Sequence, residues 1–285
     1  MRKKLPEWLK RGIVDTDTTR TVRKILKFNH LNTVCDSARC PNKNECYSKN
    51  TATFMILGTN CTRNCRFCSI TNNPPEAVNV EEPLLIANAI KELGLDYVVI
   101  TSVTRDDLED EGAGHFAETI REIKKIGSDI KIEVLTPDFN GKEKLIDIVI
   151  SEAPDVFNHN IETVKDLYKR VRPQAQYQRS LDFLEYIKKT SPTILTKTGM
   201  MVGLGETEDQ IISTLKDLQA INCDIVTIGQ YIQPTKNHLD VEKYYTPEEF
   251  EHLQNLAKEI GIKFPIAGPL VRSSYKAKEV LLKNI

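Results

Sequence analysis

The chain has 285 residues, of which 40% are hydrophobic and 28% charged, the composition of an ordinary globular enzyme. A formal net charge of -1 argues against general binding of polyanions such as nucleic acid, and no apolar run approaches the ~20 residues that a membrane-spanning helix needs. The first residues, MRKKLPEWLKRG, are basic but lack the apolar stretch of a secretory signal, so we expect a cytoplasmic enzyme.

The predicted elements begin with a short helical segment in residues 1–30 and a polar, irregular segment in residues 31–50. The helical segment is expected to pack through Trp8, Leu9, Val22, Ile25, Leu26 and Phe28. The predicted strands are Thr53–Leu57, Tyr97–Thr101, Ile130–Leu135, Asp155–Asn158, Thr198–Val202 and Ile225–Gln230. The predicted helices are Pro83–Leu93, His115–Ile126, Lys142–Ile150, Ser180–Thr190, Glu208–Ile221 and Pro247–Ile260. Six strand-then-helix units predict an α/β fold whose parallel sheet curls into a partial or full barrel.

A polar segment follows every predicted strand. These segments are Cys61–Cys68, Ser102–Asp107, Pro137–Asn140, His159-Asn160, Gly203–Glu206 and Tyr231–Pro234. In β/α barrels the chemistry takes place in the loops at the carboxyl ends of the strands. The pattern therefore predicts an active site that these segments line.

Seven cysteines are present, and six of them fall within residues 35–68. An odd number of cysteines without a secretory signal argues against a disulfide framework and favours metal binding. Cys223 stands alone in an apolar stretch, where a buried structural cysteine is expected.

The segment from Cys61 to Cys68 has C-x3-C-x2-C spacing, with Cys65 between them and an aromatic residue before the last cysteine. Three thiolates in one loop can hold three corners of a [4Fe–4S] cluster and leave the fourth iron open for chemistry. A three-cysteine zinc site is the alternative, although zinc usually takes paired C-x2-C units.

The segment from Cys35 to Cys46, which includes Cys40, has C-x4-C-x5-C spacing. Taken alone, it fits a zinc site as well as an iron–sulfur cluster. It also supplies only three thiolates, so a fourth ligand is a non-cysteine group or is absent.

Together the two cysteine motifs, joined by TATFMILG at residues 51–58, resemble the lipoyl synthase family of radical S-adenosylmethionine (SAM) enzymes. Further matching segments are TSVTRDDLEDEGAGHFA at 101–117, HNIETV at 159–164, VRP at 171–173, TKTGMMVGLGET at 196–207, GQYIQPTKNHL at 229–239 and RSSY at 272–275. Tyr47 stands where the family commonly has tryptophan. Other radical SAM sulfur inserters would share only the first motif.

The resemblance implies a partial (β/α)6 TIM-type barrel at residues 51–262, with an N-terminal extension at 1–50 and a C-terminal extension at 263–285 that carries RSSY. It implies that Cys61, Cys65 and Cys68 hold the SAM-binding [4Fe–4S] cluster. It also implies that an auxiliary [4Fe–4S] cluster is held by Cys35, Cys40, Cys46 and Ser274, with Ser273 the less favoured serine.

The activity that the resemblance implies is insertion of two sulfur atoms at C6 and C8 of a protein-bound octanoyl-lysine, with sulfur taken from the auxiliary cluster and two SAM molecules used. The implied partners are an octanoylated lipoyl carrier domain (glycine cleavage H protein or the E2 lipoyl domain of a 2-oxoacid dehydrogenase), an electron donor such as flavodoxin or ferredoxin, and cluster-assembly or carrier proteins. No nucleic acid or membrane partner is expected.

Contacts to SAM or substrate are expected from polar residues on or after the strands. They are Ser102, Arg105, Asp106, Glu133, Asn158, Arg172, Lys197 and Gln230. For each of them a salt bridge or hydrogen bond within the barrel mouth is an equally good interpretation. Residues 1–30 hold nine Lys or Arg against three Asp or Glu, which either steers an acidic carrier domain or forms a solvated basic helix.

Two other classes of protein remain open at this point. One is a radical SAM enzyme with a different acceptor. The other is a zinc-stabilised β/α protein with a binding role and no radical chemistry.

Overall fold

The computed structural model describes residues 4–10, 12, 16–49, 51–127, 129–275 and 277–279. The chain divides into two compact units. The N-terminal unit comprises Arg11–Arg63 and Ser69–Phe157, and the C-terminal unit comprises Met1–Lys10, Asn64–Cys68 and Asn158–Ile285. The predicted domain boundaries after residues 50 and 262 stay predictions, and residues 50 and 280–285 lie outside the described residues.

Helices and strands alternate through the N-terminal unit. They are α1 (Asp17–Phe28), β1 (Asn32–Thr33), α2 (Val34–Ser37), α3 (Lys43–Ser48), β2 (Thr53–Ile56), α4 (Glu82–Leu93), β3 (Tyr97–Ser102), α5 (Ala113–Lys124), β4 (Lys131–Leu135), a 3-10 turn at Phe139–Gly141, α6 (Glu143–Ile150) and β5 (Val156–Asn158), whose last residue belongs to the other unit.

Strands β2, β3 and β4 form a parallel sheet in chain order. Thr53 lies opposite Val99, Tyr97 lies opposite Lys131, and β1 pairs antiparallel with β2. The residues of β2 are all buried, as expected for a parallel strand covered on both faces. Because the strands are parallel, the loops that follow β2, β3 and β4 leave from the same edge of this sheet.

The C-terminal unit repeats this alternation. It contains 3-10 turns at Glu7–Leu9 and Lys165–Leu167, α7 (Tyr168–Val171), α8 (Tyr177–Thr190), β6 (Leu195–Val202), α9 (Glu208–Ala220), β7 (Ile225–Gln230), α10 (Pro247–Ile260) and β8 (Phe264–Gly268). Strands β6, β7 and β8 are parallel and follow one another in chain order.

Helices α9 and α10 begin where the sequence places helix-start signals. The hydroxyl of Thr207 accepts from the backbone N–H of Gln210, and the Gln210 side chain accepts from the backbone of Thr207. Thr246 and Glu249 form the same reciprocal pair ahead of α10. Each pair satisfies backbone N–H groups that a helix start would otherwise leave without partners.

Several expectations about the ends of the chain are wrong. The segment predicted to be irregular contains β1, α2 and α3 within its described residues, 31–49. Phe28 is 81% exposed and lies outside the core, and Trp8 is 41% exposed with its indole N–H donating to the carbonyl of Tyr245. Leu9, Val22, Ile25 and Leu26 are buried as predicted, and so is Cys223.

Candidate active site

The cysteines of the C-x4-C-x5-C motif, Cys35, Cys40 and Cys46, lie together in the N-terminal unit. Cys35 is on α2, Cys46 is on α3, and the backbone N–H of Cys40 donates to the carbonyl of Cys35 at 3.1 Å. Burial, together with the neighbouring thiol of Cys40, raises the pKa of Cys35 to about 11. Burial and the thiols of Cys35 and Cys40 raise the pKa of Cys46 to about 12. A bound metal ion would lower the pKa values of these two thiols, because metal binding favours the thiolate.

Cys61 follows β2 in the same unit, and its sulfur accepts two backbone hydrogen bonds. The N–H of Arg63 lies 3.4 Å from Sγ, and the N–H of Thr104 lies 3.3 Å from it. The backbone N–H of Cys61 donates to the carbonyl of Thr71 at 2.8 Å. N–H groups aimed at a sulfur stabilise a thiolate and tune the potential of a cluster that it binds.

The side chain of Arg63 anchors this part of the cysteine loop. Its guanidinium donates two hydrogen bonds to Asp106, at 2.9 and 2.7 Å, and one to Asp138 at 2.7 Å. Burial disfavours the charged guanidinium, yet the hydrogen bonds and charges of the two carboxylates raise the pKa of Arg63 above its ordinary value. Burial of Asp106 is likewise outweighed by Arg63, which lowers the pKa of that carboxyl. The Cys61 segment is therefore tied to the loops after β3 and β4.

The other half of the cysteine loop belongs to the C-terminal unit. The N–H of Cys68 donates to the carbonyl of Cys65 at 3.0 Å, and Nε2 of His238 lies 2.8 Å from the carbonyl oxygen of Cys68. The N–H of Arg66 donates to the carbonyl of Val171 at 3.0 Å. Phe67, the aromatic residue before the last cysteine, packs against a buried apolar group formed by Val171, Leu204, Tyr231 and Val241.

The two serines of the RSSY segment differ in their contacts. The amide of Asn160 donates to the hydroxyl of Ser273 at 3.3 Å and to a carboxylate oxygen of Glu162 at 3.0 Å. A Cβ atom at Gly199 would come within 2.9 Å of side-chain oxygens of Asn160 and Thr227 and within 3.3 Å of the Ser273 Cβ, so the missing side chain makes room for all three. The hydroxyl of Ser274 makes no hydrogen bond to the described residues. The structure thus shows a side-chain contact to the Ser273 hydroxyl, and the choice of Ser274 as a cluster ligand stays a prediction.

The predicted SAM contacts in the N-terminal unit fall into two groups. The hydroxyl oxygen of Ser102 is buried without a hydrogen-bond partner among the described residues, which fits a contact to a bound polar molecule. Buried Glu133 accepts from the phenol of Tyr97 at 2.6 Å. Arg105 binds Asp107 and the carbonyl of Leu57, and Asp106 binds Arg63. These two side chains already support the loops around Cys61.

The predicted contacts in the C-terminal unit are all buried. Asn158 ends β5 and Lys197 lies on β6, while Arg172 donates to the carbonyl of Asn160 at 2.9 Å. The amide nitrogen of Gln230 shares its two N–H groups among three backbone carbonyl oxygens at 3.0–3.1 Å, and its oxygen accepts from a backbone N–H. Gln230 therefore fastens the segment after β7, and its role as a ligand contact stays a prediction.

Three supporting residues were given no individual role from the sequence: Arg63, Asn160 and His238. Arg63 lies inside the Cys61–Cys68 motif, and the other two lie inside segments that match the family. Their position in these segments is the one sequence feature that indicates a role near the site. Their contacts join residues far apart along the chain, which no local pattern reveals.

The donor set fits iron–sulfur clusters. Two groups of three cysteines occur. In one group the pKa values of Cys35 and Cys46 are raised, chiefly by burial, and in the other group backbone N–H groups point at Cys61. Among the described residues no three His, Cys, Asp or Glu side chains are arranged to hold a single metal ion. No helix in the described part of the chain is long and apolar enough to cross a membrane.

Comparison with known proteins defines the class first. The family model of the radical SAM superfamily matches residues 55–218, more than half of the chain. Among solved structures, the hydrogenase maturase HydG is similar with a TM-score of 0.60 and 12% identity, covering 98% of this chain and 61% of that one. SuiB of Streptococcus suis bound to S-adenosylmethionine gives a TM-score of 0.59 and 15% identity over 79% of this chain, which spans about half of SuiB (54%).

The fold is thus the α/β partial TIM-type barrel of radical SAM enzymes, and the predicted fold class is confirmed. The chain is an enzyme of this superfamily, whose cofactors are SAM and [4Fe–4S] clusters.

Curated relatives narrow the class. A lipoyl synthase of Caldanaerobacter subterraneus is 53% identical over 95% of both chains. Lipoyl synthases of Rubrobacter xylanophilus and Caldicellulosiruptor saccharolyticus are 51% and 52% identical, covering 96% and 98% of this chain and 85% and 98% of their own. The chain belongs to the lipoyl synthase family, and the family prediction is confirmed.

Proposed function

We propose that this chain inserts two sulfur atoms, at C6 and C8, into an octanoyl group held in amide linkage to a lysine of a lipoyl carrier domain. The observation that carries the proposal is identity of about half over nearly the whole chain with lipoyl synthases, in a chain that holds both cysteine groups. When bound, one cluster with SAM supplies a radical that can break an unactivated C–H bond, and the other cluster supplies sulfide.

Cys61, Cys65 and Cys68 would hold the cluster that binds SAM. The chain's contribution is to fix these thiolates and to leave one iron without a protein ligand. The N–H groups of Arg63 and Thr104 favour the charged sulfur of Cys61. His238 holds the carbonyl of Cys68 and therefore the end of the loop.

Cys35, Cys40, Cys46 and Ser274 would hold the auxiliary cluster. An alkoxide is a poorer match than a thiolate for iron in a sulfide cluster, so the serine gives one labile corner. The hydrogen bond from Asn160 to Ser273 supports the choice of Ser274, because it engages the other hydroxyl. A cluster that gives up sulfur benefits from a corner that opens easily.

Ser102, Glu133, Asn158, Arg172 and Lys197 are the proposed contacts to SAM. The orphaned hydroxyl of Ser102 supports its assignment most directly. The predicted residues Arg105, Asp106 and Gln230 would act mainly by holding the loops that carry the others. Such positioning matters because a cofactor-derived radical reacts with whatever group the protein places beside it.

The proposed carrier is the glycine cleavage H protein or an E2 lipoyl domain, with flavodoxin or ferredoxin as electron donor and cluster-assembly or carrier proteins restoring the auxiliary cluster. Basic side chains on α1 support carrier steering. Arg23, Lys24 and Lys27 are all exposed on this helix. An acidic carrier domain would be attracted to such a surface.

The test is an assay of air-free protein with SAM, a reductant and an octanoylated lipoyl domain. Two clusters give a brown protein with absorbance near ~400 nm. The expected product is a dihydrolipoyl domain whose mass has increased by two sulfur atoms, and this gain becomes two sulfur atoms less two hydrogen atoms once the dithiol is oxidised to the ring disulfide. Cleavage of SAM without any sulfur gain would point to a radical SAM enzyme with another acceptor and would contradict the proposal.

A further inference from the structure

The residues that follow two of the auxiliary-cluster cysteines contact each other. Asp36 follows Cys35 on α2, and Tyr47 follows Cys46 on α3. The phenol of Tyr47 donates to the carboxylate Oδ2 of Asp36 at 2.6 Å. This contact joins the two helices that carry the outer cysteines of the motif.

Thr33 closes the contact into a ring. Its hydroxyl donates to the same Oδ2 of Asp36 at 2.9 Å and lies 2.8 Å from the phenol oxygen of Tyr47. Tyr47 is fully buried, and Thr33 is 3% exposed. Lys43 binds the other oxygen of Asp36 at 2.8 Å. The ring is thus buried on one side and neutralised by a lysine on the other.

The backbone around the ring is also closed by protein contacts. The N–H of Cys40 donates to the carbonyl of Cys35 at 3.1 Å, and the N–H of Thr51 donates to the carbonyl of Cys46 at 2.9 Å. The hydroxyl of Ser69 donates to the carbonyl of Ser37 at 2.7 Å, at the end of α2. Every one of these bonds joins protein groups, so none of them requires iron.

We propose that Thr33, Asp36 and Tyr47 form a lock that keeps Cys35 and Cys46 in place in the cluster-free chain, so that the auxiliary site is preformed for a new cluster. The proposal rests on the proposed function in taking Cys35, Cys40 and Cys46 as ligands of a cluster that is consumed. A chain whose auxiliary cluster is consumed passes through a cluster-free state. A site that is already ordered in that state spends less entropy on binding the next cluster.

Tyr47, Asp36 and Thr33 are positioning residues in this proposal, since they act through the cysteines beside them. The hydrogen bond to a carboxylate is the strongest element of the lock. Its loss leaves the ring of Tyr47 to pack as before while α2 and α3 open more often.

The experiment uses the full chain with Cys61, Cys65 and Cys68 all changed to alanine, so that only the auxiliary cluster can form. In this background Tyr47→Phe is compared with Tyr177→Phe. The phenol of Tyr177 also donates to a carboxylate, that of Asp217 at 2.8 Å, but outside the cysteine region. The control therefore removes the same kind of bond.

Two readouts are taken on protein stripped of its cluster: hydrogen exchange of peptides covering residues 34–49, and the rate at which absorbance near ~400 nm returns on addition of iron and sulfide. For Tyr47→Phe we expect exchange in these peptides to rise about tenfold or more, as one lost hydrogen bond to a charged group allows, and cluster return to slow. Tyr177→Phe should match the parent chain in both readouts.

Exchange and cluster return that are the same in Tyr47→Phe as in the parent would overturn the lock. If Tyr47→Phe does not fold by circular dichroism, Asp36→Asn replaces it and the same outcomes apply. A parent chain that takes up no cluster contradicts the assignment of the cysteines, while its hydrogen exchange still decides whether the lock exists. The two failures are therefore distinguishable.

Discussion

His238 and Cys68 are joined by a 2.8 Å hydrogen bond between the imidazole Nε2 and the backbone carbonyl of the cysteine, across 170 residues of chain. A carbonyl only accepts, so Nε2 carries the proton. Nδ1 lies 2.8 Å from the hydroxyl of Thr235, which donates to it when the imidazole is neutral. The histidine thereby fixes the end of the cysteine loop without being a ligand.

Changing His238 to alanine should weaken retention of the SAM-binding cluster, because the carbonyl of Cys68 loses its donor and the loop end is released. One such bond contributes about 1 kcal/mol. His238→Gln keeps an N–H at a similar distance from the backbone and should retain most of the iron. The measurement is iron per chain after gel filtration in a background that lacks Cys35, Cys40 and Cys46. His252→Ala removes an exposed histidine and is the control, so equal iron in the two alanine variants would contradict the expectation.

Changing Arg63 to glutamine should lower the free energy of unfolding of the cluster-free chain by about 3 kcal/mol, since two carboxylates lose their buried partner. Asp138 is fully buried and has no ready route to water. The measurement is denaturant unfolding followed by circular dichroism. Arg121→Gln breaks ion pairs on an exposed surface and should leave the transition unchanged. A similar change in the free energy of unfolding of both variants would show that Arg63 stabilises the chain no more than an exposed arginine does.

Changing Ser274 to cysteine should retain the auxiliary cluster but impair sulfur insertion. A thiolate binds iron more firmly than an alkoxide does, so the labile corner is lost. The measurements are iron content and product mass on the same preparation. Ser273→Cys is the matched control, because it places a thiol on the neighbouring residue whose hydroxyl Asn160 already engages. Wild-type activity in Ser274→Cys would refute the role of the labile corner.

Reversing the charge of Arg23, Lys24 and Lys27 to glutamate should weaken binding of an acidic lipoyl carrier domain, and the loss should shrink as salt is added. The measurement is carrier affinity at low and high ionic strength. The control reverses three exposed lysines of the C-terminal unit, namely Lys189, Lys216 and Lys258. Unchanged affinity at low salt would show that α1 does not steer the carrier.

Strands β2 to β7 were predictable because each is an apolar run between amphipathic helices. Ile225–Gln230 and Pro247–Ile260 match their predicted bounds, and most of the others differ by only a few residues. Strand β8 was missed because Phe264–Gly268 is short and contains proline and glycine, which oppose a strand in isolation. Hydrogen bonds to β7 hold this segment as a strand, although its own residues do not favour one.

The short helices α2 and α3 were missed for a related reason. Each has six residues or fewer, too short for an apolar period, and contacts between side chains hold them in place. Thr33, Asp36 and Tyr47 form those contacts across 14 positions of the chain. The prediction that Phe28 packs in the core was wrong. An apolar residue at the end of an amphipathic helix is typical of a core position, but Phe28 lies on the exposed face of α1.

The spacing of the cysteines predicts the two ligand groups, but it does not predict the residues that hold those cysteines in place. The N–H of Thr104 and the guanidinium of Arg63 reach their partners only after β2, β3 and β4 have paired. The roles of individual residues toward SAM and the boundaries of the extensions stay predictions.

The central claim is that the two clusters are unequal, one generating the radical and the other giving up its sulfur. The most direct measurement is a single turnover by enzyme whose clusters were built with heavy-isotope sulfide, in buffer without other sulfide. Mass spectrometry of the lipoyl domain should show two heavy sulfur atoms on each lipoyl group formed. It should show none when Cys35, Cys40 and Cys46 are changed to alanine, although SAM cleavage continues. Light sulfur in the product, or sulfur insertion by the alanine variant, would contradict the account.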